Sequence, residues 1–304
     1  MTKKGDLMLL KDFNLLHVST WNILGDGYKQ PDRLSRVAAE ISDFDICAVQ
    51  EIVFSDDKKS SAHELSKLSG LHLASLVPTG TNNLVSGDPQ ATAILSRLQI
   101  IEPNIQINVP VEDTKGVMRE PKNYAGAILR SKSKRHVLIV SIHLPWGGIK
   151  EFRRLAHIQT ICLQIDKIME NLPHDSIAIL AGDFNSTPNS DTVRFLSGDL
   201  AVDSFESFWI DTWATAGLGD GYTFDPTIEN LNIARTALQS GIQKPELMPK
   251  RRLDYIFVRG WVYGRSGSPL ATSLIGEFPD VNGLHASDHF GIYARLWDPI
   301  DASD

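Results

Sequence analysis

Residues able to bind a metal, move a proton or hold a phosphate stand at the ends of apolar runs in five places in this sequence. Run 15–20 leads into Trp21-Asn22, and run 45–49 ends at Gln50-Glu51. Run 137–142 ends at His143, and run 177–181 ends at Gly182-Asp183-Phe184-Asn185. Toward the C-terminus, Arg252-Leu253-Asp254-Tyr255 is followed by Ser287-Asp288-His289. One carboxylate or imidazole past a strand is ordinarily a cap or turn residue. Five such places point to a site, because sandwich and α/β folds collect their sites on the loops at strand ends. Glu51, Asp183, Asp254 and Asp288 offer hard oxygens suited to Mg²⁺ or Mn²⁺. His143 and His289 can donate to a phosphate oxygen or exchange a proton. Asn22 and Asn185 can orient a water or a phosphoryl oxygen without adding charge. Hydrolysis of a phosphodiester needs these parts: a cation to offset developing charge, a positioned water and donors to the phosphoryl oxygens.

The elements that must position these residues follow from the apolar pattern. Short runs rich in Val, Ile and Leu at 15–20, 45–50, 91–96, 125–129, 137–144, 177–181, 253–258 and 291–296 read as buried strands. Runs 137–144 and 177–181 lack polar alternation, so both faces of those strands should be covered. Helices are expected at 33–42, after Pro31-Asp32, at 61–69, and at 151–171. In the last, Phe152, Leu155, Ile158, Ile161, Cys162, Ile165, Ile168 and Met169 form one apolar stripe, and Pro173 should end it. So many strands with so few helices favour two sheets packed face to face with helices outside. With no linker and no internal repeat, the expectation is one domain over 1–304, its core at about 13–298. Stretches 78–90, 103–123 and 225–250 lack periodicity and read as long functional loops.

Composition excludes several classes. The 304 residues carry a net charge of −7, with 42% hydrophobic and 22% charged residues, an ordinary globular balance. A negative chain is no general polyanion binder, although basic clusters occur at Lys132/Lys134/Arg135, Lys150/Arg153/Arg154 and Lys250/Arg251/Arg252. No apolar run is long enough to cross a bilayer as a helix, and the N-terminal run is too short for a signal-peptide core. A cytoplasmic monomer is the expectation. Cys47 and Cys162 read as buried free thiols, and His17, His72, His136, His157 and His174 as surface or satisfied core residues. Trp21 reads as packing. His63-Glu64-Leu65-Ser66-Lys67 lacks the second His of a zinc-protease motif, and Gly217-Leu218-Gly219-Asp220-Gly221 lacks the strand-to-helix context of a dinucleotide fingerprint.

Six segments in order carry a resemblance: Ser19-Thr20-Trp21-Asn22, Ala48-Val49-Gln50-Glu51, Ser141-Ile142-His143-Leu144, Gly182-Asp183-Phe184-Asn185, Arg252-Leu253-Asp254-Tyr255 and Ser287-Asp288-His289. The sequence resembles the endonuclease/exonuclease/phosphatase superfamily. That resemblance implies an α/β fold, a four-layer sandwich of two packed mixed β-sheets flanked by helices. It also implies a divalent-metal phosphodiesterase using Mg²⁺ or Mn²⁺. By position, Glu51 resembles the principal metal ligand, with Asn22 beside it and Asp288 a further candidate. Asp183 resembles the residue that aligns or deprotonates the attacking water, and Asn185 its partner. Asp254 resembles the carboxylate that orients His289, and His289 and His143 resemble the phosphate-contacting histidines. The apurinic endonucleases of the family usually carry Tyr at the place of His143 and an Asp where this chain has Leu24, so that branch is disfavoured.

For substrate, Gly221-Tyr222-Thr223-Phe224-Asp225 is similar to a Thr-Trp-Asp segment of the tyrosyl-DNA phosphodiesterases, and Arg153 or Arg154 could match an arginine of that branch. Phe224, Pro226 and Phe184 depart from the branch pattern. Trp146, Tyr124, Tyr222 and Phe224 lie in or beside loops and could stack on bases or cap the sandwich. Asn22, Arg153, Arg154, Trp146, Tyr222 and Phe224 are therefore the candidate substrate-binding residues. Nucleic acid is the expected partner, and a lipid surface is disfavoured for want of an apolar hairpin or amphipathic basic helix. Two alternatives stand beside it: a soluble phosphatase on inositol phosphates or nucleotides, and a non-catalytic binding module on the same fold.

Overall fold

The protein is described from a computed structural model covering residues 14–25, 32–54, 60–82, 87–112, 118–147, 150–202, 205, 207–226, 248–260 and 264–300. The elements in chain order are β1 (Leu15–Asn22), α1 (Arg33–Ile41), β2 (Ile46–Val53), α2 (Ser61–Ser69), β3 (His72–Asn82), β4 (Pro89–Ser96), β5 (Gln99–Glu112) and β6 (Met118–Arg130). They continue with β7 (His136–His143), α3 (Glu151–Met169), β8 (Ile177–Asp183), α4 (Asp191–Leu196), β9 (Trp209–Asp211), α5 (Thr212–Ala216), β10 (Asp254–Arg259), β11 (Pro269–Ile275) and β12 (Gly291–Trp297).

Two mixed six-stranded sheets result, in the orders β11-β12-β1-β2-β4-β3 and β5-β6-β7-β8-β10-β9. Each has a parallel pair at its centre, β1–β2 in the first and β7–β8 in the second. Parallel neighbours need a crossover, and α1 and α3 supply it. Alternation along the strands then sorts the apolar residues into three layers. Leu16, Val18, Ile139, Ile179, Ile256 and Ile292 fill the space between the sheets. Leu138, Val140, Leu180 and Phe257 face outward onto Ile158, Ile161 and Ile165 of α3. Cys47, Val49 and Ala93 face outward onto Val37 and Ile41 of α1 and Leu65 of α2. Helix, sheet, sheet, helix is the expected four-layer sandwich, and β7 and β8 are covered on both faces as their unbroken apolar runs require.

Two of the three expected loops are strands. Stretch 78–90 holds the end of β3 and the start of β4, and stretch 103–123 is largely the β5–β6 hairpin. The alternation Ile105, Ile107, Val109, Val111 was present, but Pro103 and Pro110 masked it. Strand β5 lies at a sheet edge, where a missing N–H costs no ladder bond, and its register shifts beside both prolines. Residues 227–247 of the third stretch lie outside the described residues. Helix α3 closes at Met169, ahead of Pro173, and Phe152, the first residue of the expected stripe, is 66% exposed. Cys47 and Cys162 are buried and free, and burial pushes both thiols up to about 12.

His157 of α3 is buried against Tyr124 of β6, its Nδ1 3.0 Å from the phenol oxygen. Burial, helped by the charges of Lys122 and Arg153, lowers it from 6.5 to about 4. The unfolded chain then binds a proton between those values that the folded one refuses. Stability is therefore expected to fall by about 3 kcal/mol as pH drops from 7 to 4 through this group. Urea denaturation across that range checks it. His157→Gln should flatten that part of the pH dependence, and an unchanged slope in the variant would contradict the assignment.

Candidate active site

The registers of the second sheet place three predicted residues in one row. His143 pairs with Asp183, and Asp183 pairs with Asp254, on adjacent strands β7, β8 and β10. Each continues the alternation of residues that face the gap between the sheets, Ile139, Ile179 and Ile256 among them, so all three point inward. The approach of β8 to β7 depends on Gly182, since a Cβ there would meet the Ile142 carbonyl oxygen at 2.0 Å.

In the first sheet Asn22 points inward by the same alternation as Leu16 and Val18. Glu51 would not, because Cys47 and Val49 face the outer layer. A bulge corrects this. Val49 is level with Ala93 and Ile52 with Ala91, so Gln50 and Glu51 together oppose Thr92. Glu51 takes a left-handed φ of 59°, and Ile52 returns to the outer core. Gln50 points inward too, its amide donating to Ser141 Oγ of the facing sheet at 3.0 Å. Glu51 thus turns toward Asn22, whose Nδ2 lies 3.0 Å from both Glu51 Oε1 and Asp183 Oδ2. Asn22 Oδ1 accepts from Leu24 N–H, so the nitrogen of the amide faces the carboxylates. The other Glu51 oxygen accepts from Gly25 N–H at 3.1 Å and from Gln90 Nε2 at 3.4 Å.

Asp183 Oδ2 is the centre of the site. Asn22 Nδ2 stands 3.0 Å away, His143 Nε2 3.6 Å and His289 Nε2 3.9 Å. Asp183 Oδ1 accepts from the N–H of Asn185, whose left-handed φ of 49° closes that short turn. Asn185 Nδ2 donates to Leu144 O, which ties the loop after β8 to the loop after β7. His289 is fixed at both ends. Its Nδ1 lies 2.8 Å from Asp254 Oδ2, and its carbonyl accepts from Trp21 Nε1 at 2.9 Å. Trp21 is packing, as expected, and it also holds the backbone of a site residue.

Burial alone would push His289 down. The charges of Asp254 and Asp183 more than offset this and raise it well above the ordinary imidazole value. Burial raises Asp254, with the His289 charge opposing. Asp288 is raised by burial and by the nearby charge of Glu51, against His289 and Arg33. Among the described residues, Asp183, Asp254 and His289 bring ligand atoms within 4.8 Å of one another, a spacing that can hold a metal ion. That trio overlaps the expected metal set of Asn22, Glu51 and Asp288 nowhere, although Asn22 bridges the two groups.

The candidate substrate residues separate. Phe224 lies against the site, its ring 5.4 Å from that of His289. Trp146 and Tyr222 are exposed, in the loops that follow β7 and precede β10. Arg153 is half-buried with its guanidinium 5.6 Å from the Phe152 ring, and Arg154 is buried.

A model of the Endonuclease/Exonuclease/phosphatase family matches residues 19–289, from the first motif to the last. The chain belongs to this family. No curated protein sequence matches it. Among solved structures, TDP2 of D. rerio complexed with single-strand DNA product is similar at 21% identity and a TM-score of 0.61, over 93% of this chain and 99% of that one. Truncated Caenorhabditis elegans TDP2 is similar at 16% identity and 0.60, over 93% and 98%. An endonuclease/exonuclease/phosphatase from Bacteroides vulgatus gives 18% and 0.61, over 93% and 98%. The family's phosphoesterase fold here carries a buried Asp/His cluster at its strand ends.

Sequence reasoning missed Thr223, although its segment drew notice. Thr223 is fully buried, and its Oγ1 accepts from the N–H groups of Leu253 and Asp254 at 3.0 and 3.1 Å. Its carbonyl accepts from Phe290 N–H at 2.7 Å, so one residue ties the start of β10 to the His289 loop. The missing signal was the fold itself, which brings residue 223 beside 254 and 290. Thr223→Val keeps the shape and strands two buried donors, which should cost about 1–3 kcal/mol in urea unfolding. A cost under about 0.5 kcal/mol would show that these bonds do not hold Asp254.

Proposed function

We propose that the protein is a Mg²⁺- or Mn²⁺-dependent phosphodiesterase that hydrolyses phosphoester bonds in nucleic acid. One observation carries the reading: Asn22, His143 and His289 converge on a single oxygen of Asp183, with Asp254 behind His289. That arrangement places an acceptor for a water proton beside donors for phosphoryl oxygens.

The donor set fits a divalent cation. Hard carboxylate oxygens outnumber the imidazoles, and Asp183, Asp254 and His289 bring ligand atoms within 4.8 Å of one another. Glu51, with Asp288, would hold the cation on the first sheet, and Asn22, expected beside them as a ligand, presents its Nδ2 to Glu51 and so orients that carboxylate instead. When bound, the cation offsets the negative charge that builds on the phosphoryl oxygens.

The chain's own groups supply the rest. Asp183, its Oδ1 held by Asn185 N–H, takes the proton of the attacking water at the carboxylate that faces Asn22. His289, charged and anchored through Nδ1, presents Nε2–H to the phosphate. His143 Nε2 stands on the opposite strand neighbour of Asp183 and serves the same phosphate. Phe224 lies against His289, and Trp146, Tyr222 and Arg153 suit stacking on bases and contact with a phosphate backbone by their chemistry. The likeness of fold to TDP2, crystallised with a single-strand DNA product, supports a nucleic-acid substrate. Among the described residues no helix is long and apolar enough to cross a membrane.

The test is cleavage of end-labelled single- and double-stranded DNA and RNA with Mg²⁺, Mn²⁺ or EDTA. Cleavage should need the metal. Asp183→Ala and His289→Ala should each lose about 10²–10⁴-fold in rate with circular dichroism unchanged. Glu51→Gln should mainly raise the metal concentration required. Near-full activity of Asp183→Ala would overturn the site, and failure of the wild type to cut any of the polymers would overturn the substrate class.

A further inference from the structure

We infer that Trp146 is a rigid stacking platform for a nucleobase beside the reacting phosphate, and that Glu151 and Arg154 are the positioning residues that hold it. The inference rests on the nucleic-acid reading above and names how that site takes its substrate.

Arg154 is 4% exposed, and its guanidinium makes four bonds inside the protein. Its Nε and Nη2 each lie 2.9 Å from Glu151 Oε2. Its Nη1 donates to Pro145 O at 2.9 Å and to Gly147 O at 2.8 Å. Those are the two carbonyls on either side of Trp146. Glu151 is itself anchored. Its Oε1 accepts from Thr192 N–H at 2.7 Å and its Oε2 from Ser186 Oγ at 3.1 Å. Burial works against the Glu151 charge, but the bonds from Thr192 and Arg154 outweigh it and hold the carboxyl below its ordinary range. A guanidinium spent in this way is not a phosphate contact. It fixes a backbone.

What it fixes is an exposed aromatic side chain. Trp146 is 48% exposed, and burying a large apolar side chain is ordinarily worth about 1.5–3 kcal/mol. Exposure alone proves nothing, since Leu218 and Phe278 are more exposed still. Trp146 differs in having both flanking carbonyls pinned by one buried cation. It also follows Leu144 by two residues, and Leu144 O is bonded to Asn185 of the site. At about 3.3–3.6 Å per residue the indole's backbone lies within roughly 7 Å of that contact. Lys150 Nζ stands over one face of the indole, 5.4 Å from the ring centroid, so a base would stack on the opposite face with this positive charge behind the ring. An exposed indole on an anchored backbone, with a cation on one face and the proposed phosphate site nearby, matches a nucleotide: base on the ring, phosphate by the charge.

The test compares two polymers of equal charge. A labelled thymidine decamer and an abasic decamer of the same backbone are titrated by fluorescence anisotropy in Mg²⁺. The protein carries Asp183→Ala so that neither is cut. The thymidine decamer should bind about tenfold tighter or more, from stacking on one base. Adding Trp146→Ala should bring the two affinities together, while Trp146→Phe should keep most of the difference. Arg154→Lys should shrink the difference and leave the abasic decamer's Kd unchanged, which general loosening of the site would not do. Equal affinity for both polymers, or a difference that survives Trp146→Ala, overturns the inference and leaves the phosphodiesterase reading intact. An unchanged difference in Arg154→Lys overturns the positioning role. Binding of neither polymer, with no cleavage by the wild type, overturns inference and proposed function together.

Discussion

Like charges gathered in a dry place are the constraint on which the open end of this sandwich depends. Glu51, Asp183, Asp254 and Asp288 come close enough for their charges to interact, and Asp183 and Asp254 are almost wholly buried. Left alone, such a group would stay protonated or push the strands apart. The structure answers with three kinds of donor. An uncharged amide, Asn22, spans Glu51 and Asp183. A charged imidazole, His289, is held against Asp254. Backbone N–H groups of Gly25 and Asn185 take one oxygen each of Glu51 and Asp183. The proposed cation completes the balance.

Holding these groups in place requires local sacrifices in the backbone. Glu51 and Asn185 both adopt left-handed φ values, which non-glycine residues rarely take. A bulge in β2 gives up a ladder position to turn Glu51 inward. Strain at two residues of one site is sustained by surrounding structure that over-determines it. That structure includes the crossing of the two sheets by Gln50 and Ser141, and the pinning of Ile23, Leu24 and Ala286 carbonyls by buried Arg33.

Much of this was legible in the sequence because Asn22, Glu51, His143 and Asp183 each stand where an apolar run ends, as at 177–181 before Asp183. The sandwich was legible for the same reason: covered strands such as β7 and β8 have no polar alternation. Register was not legible. Nothing local to His143, Asp183 or Asp254 says that they lie level, and nothing local to Glu51 announces the bulge. The difference between Arg153 and Arg154 was half-visible. Arg154 stands four residues before Ile158 and seven before Ile161, on the buried stripe of α3, whereas Arg153 does not. Strand β5 was hidden by prolines that only an edge position tolerates.

We propose above that this crowd of carboxylates is a cation site with Glu51 as a principal ligand. Isothermal titration of the metal-stripped protein with Mn²⁺ tests it directly. The wild type should show one saturable site and Glu51→Gln at least tenfold weaker binding, with the circular dichroism of the two proteins the same. Absence of saturable binding, or equal affinity in the variant, would contradict it.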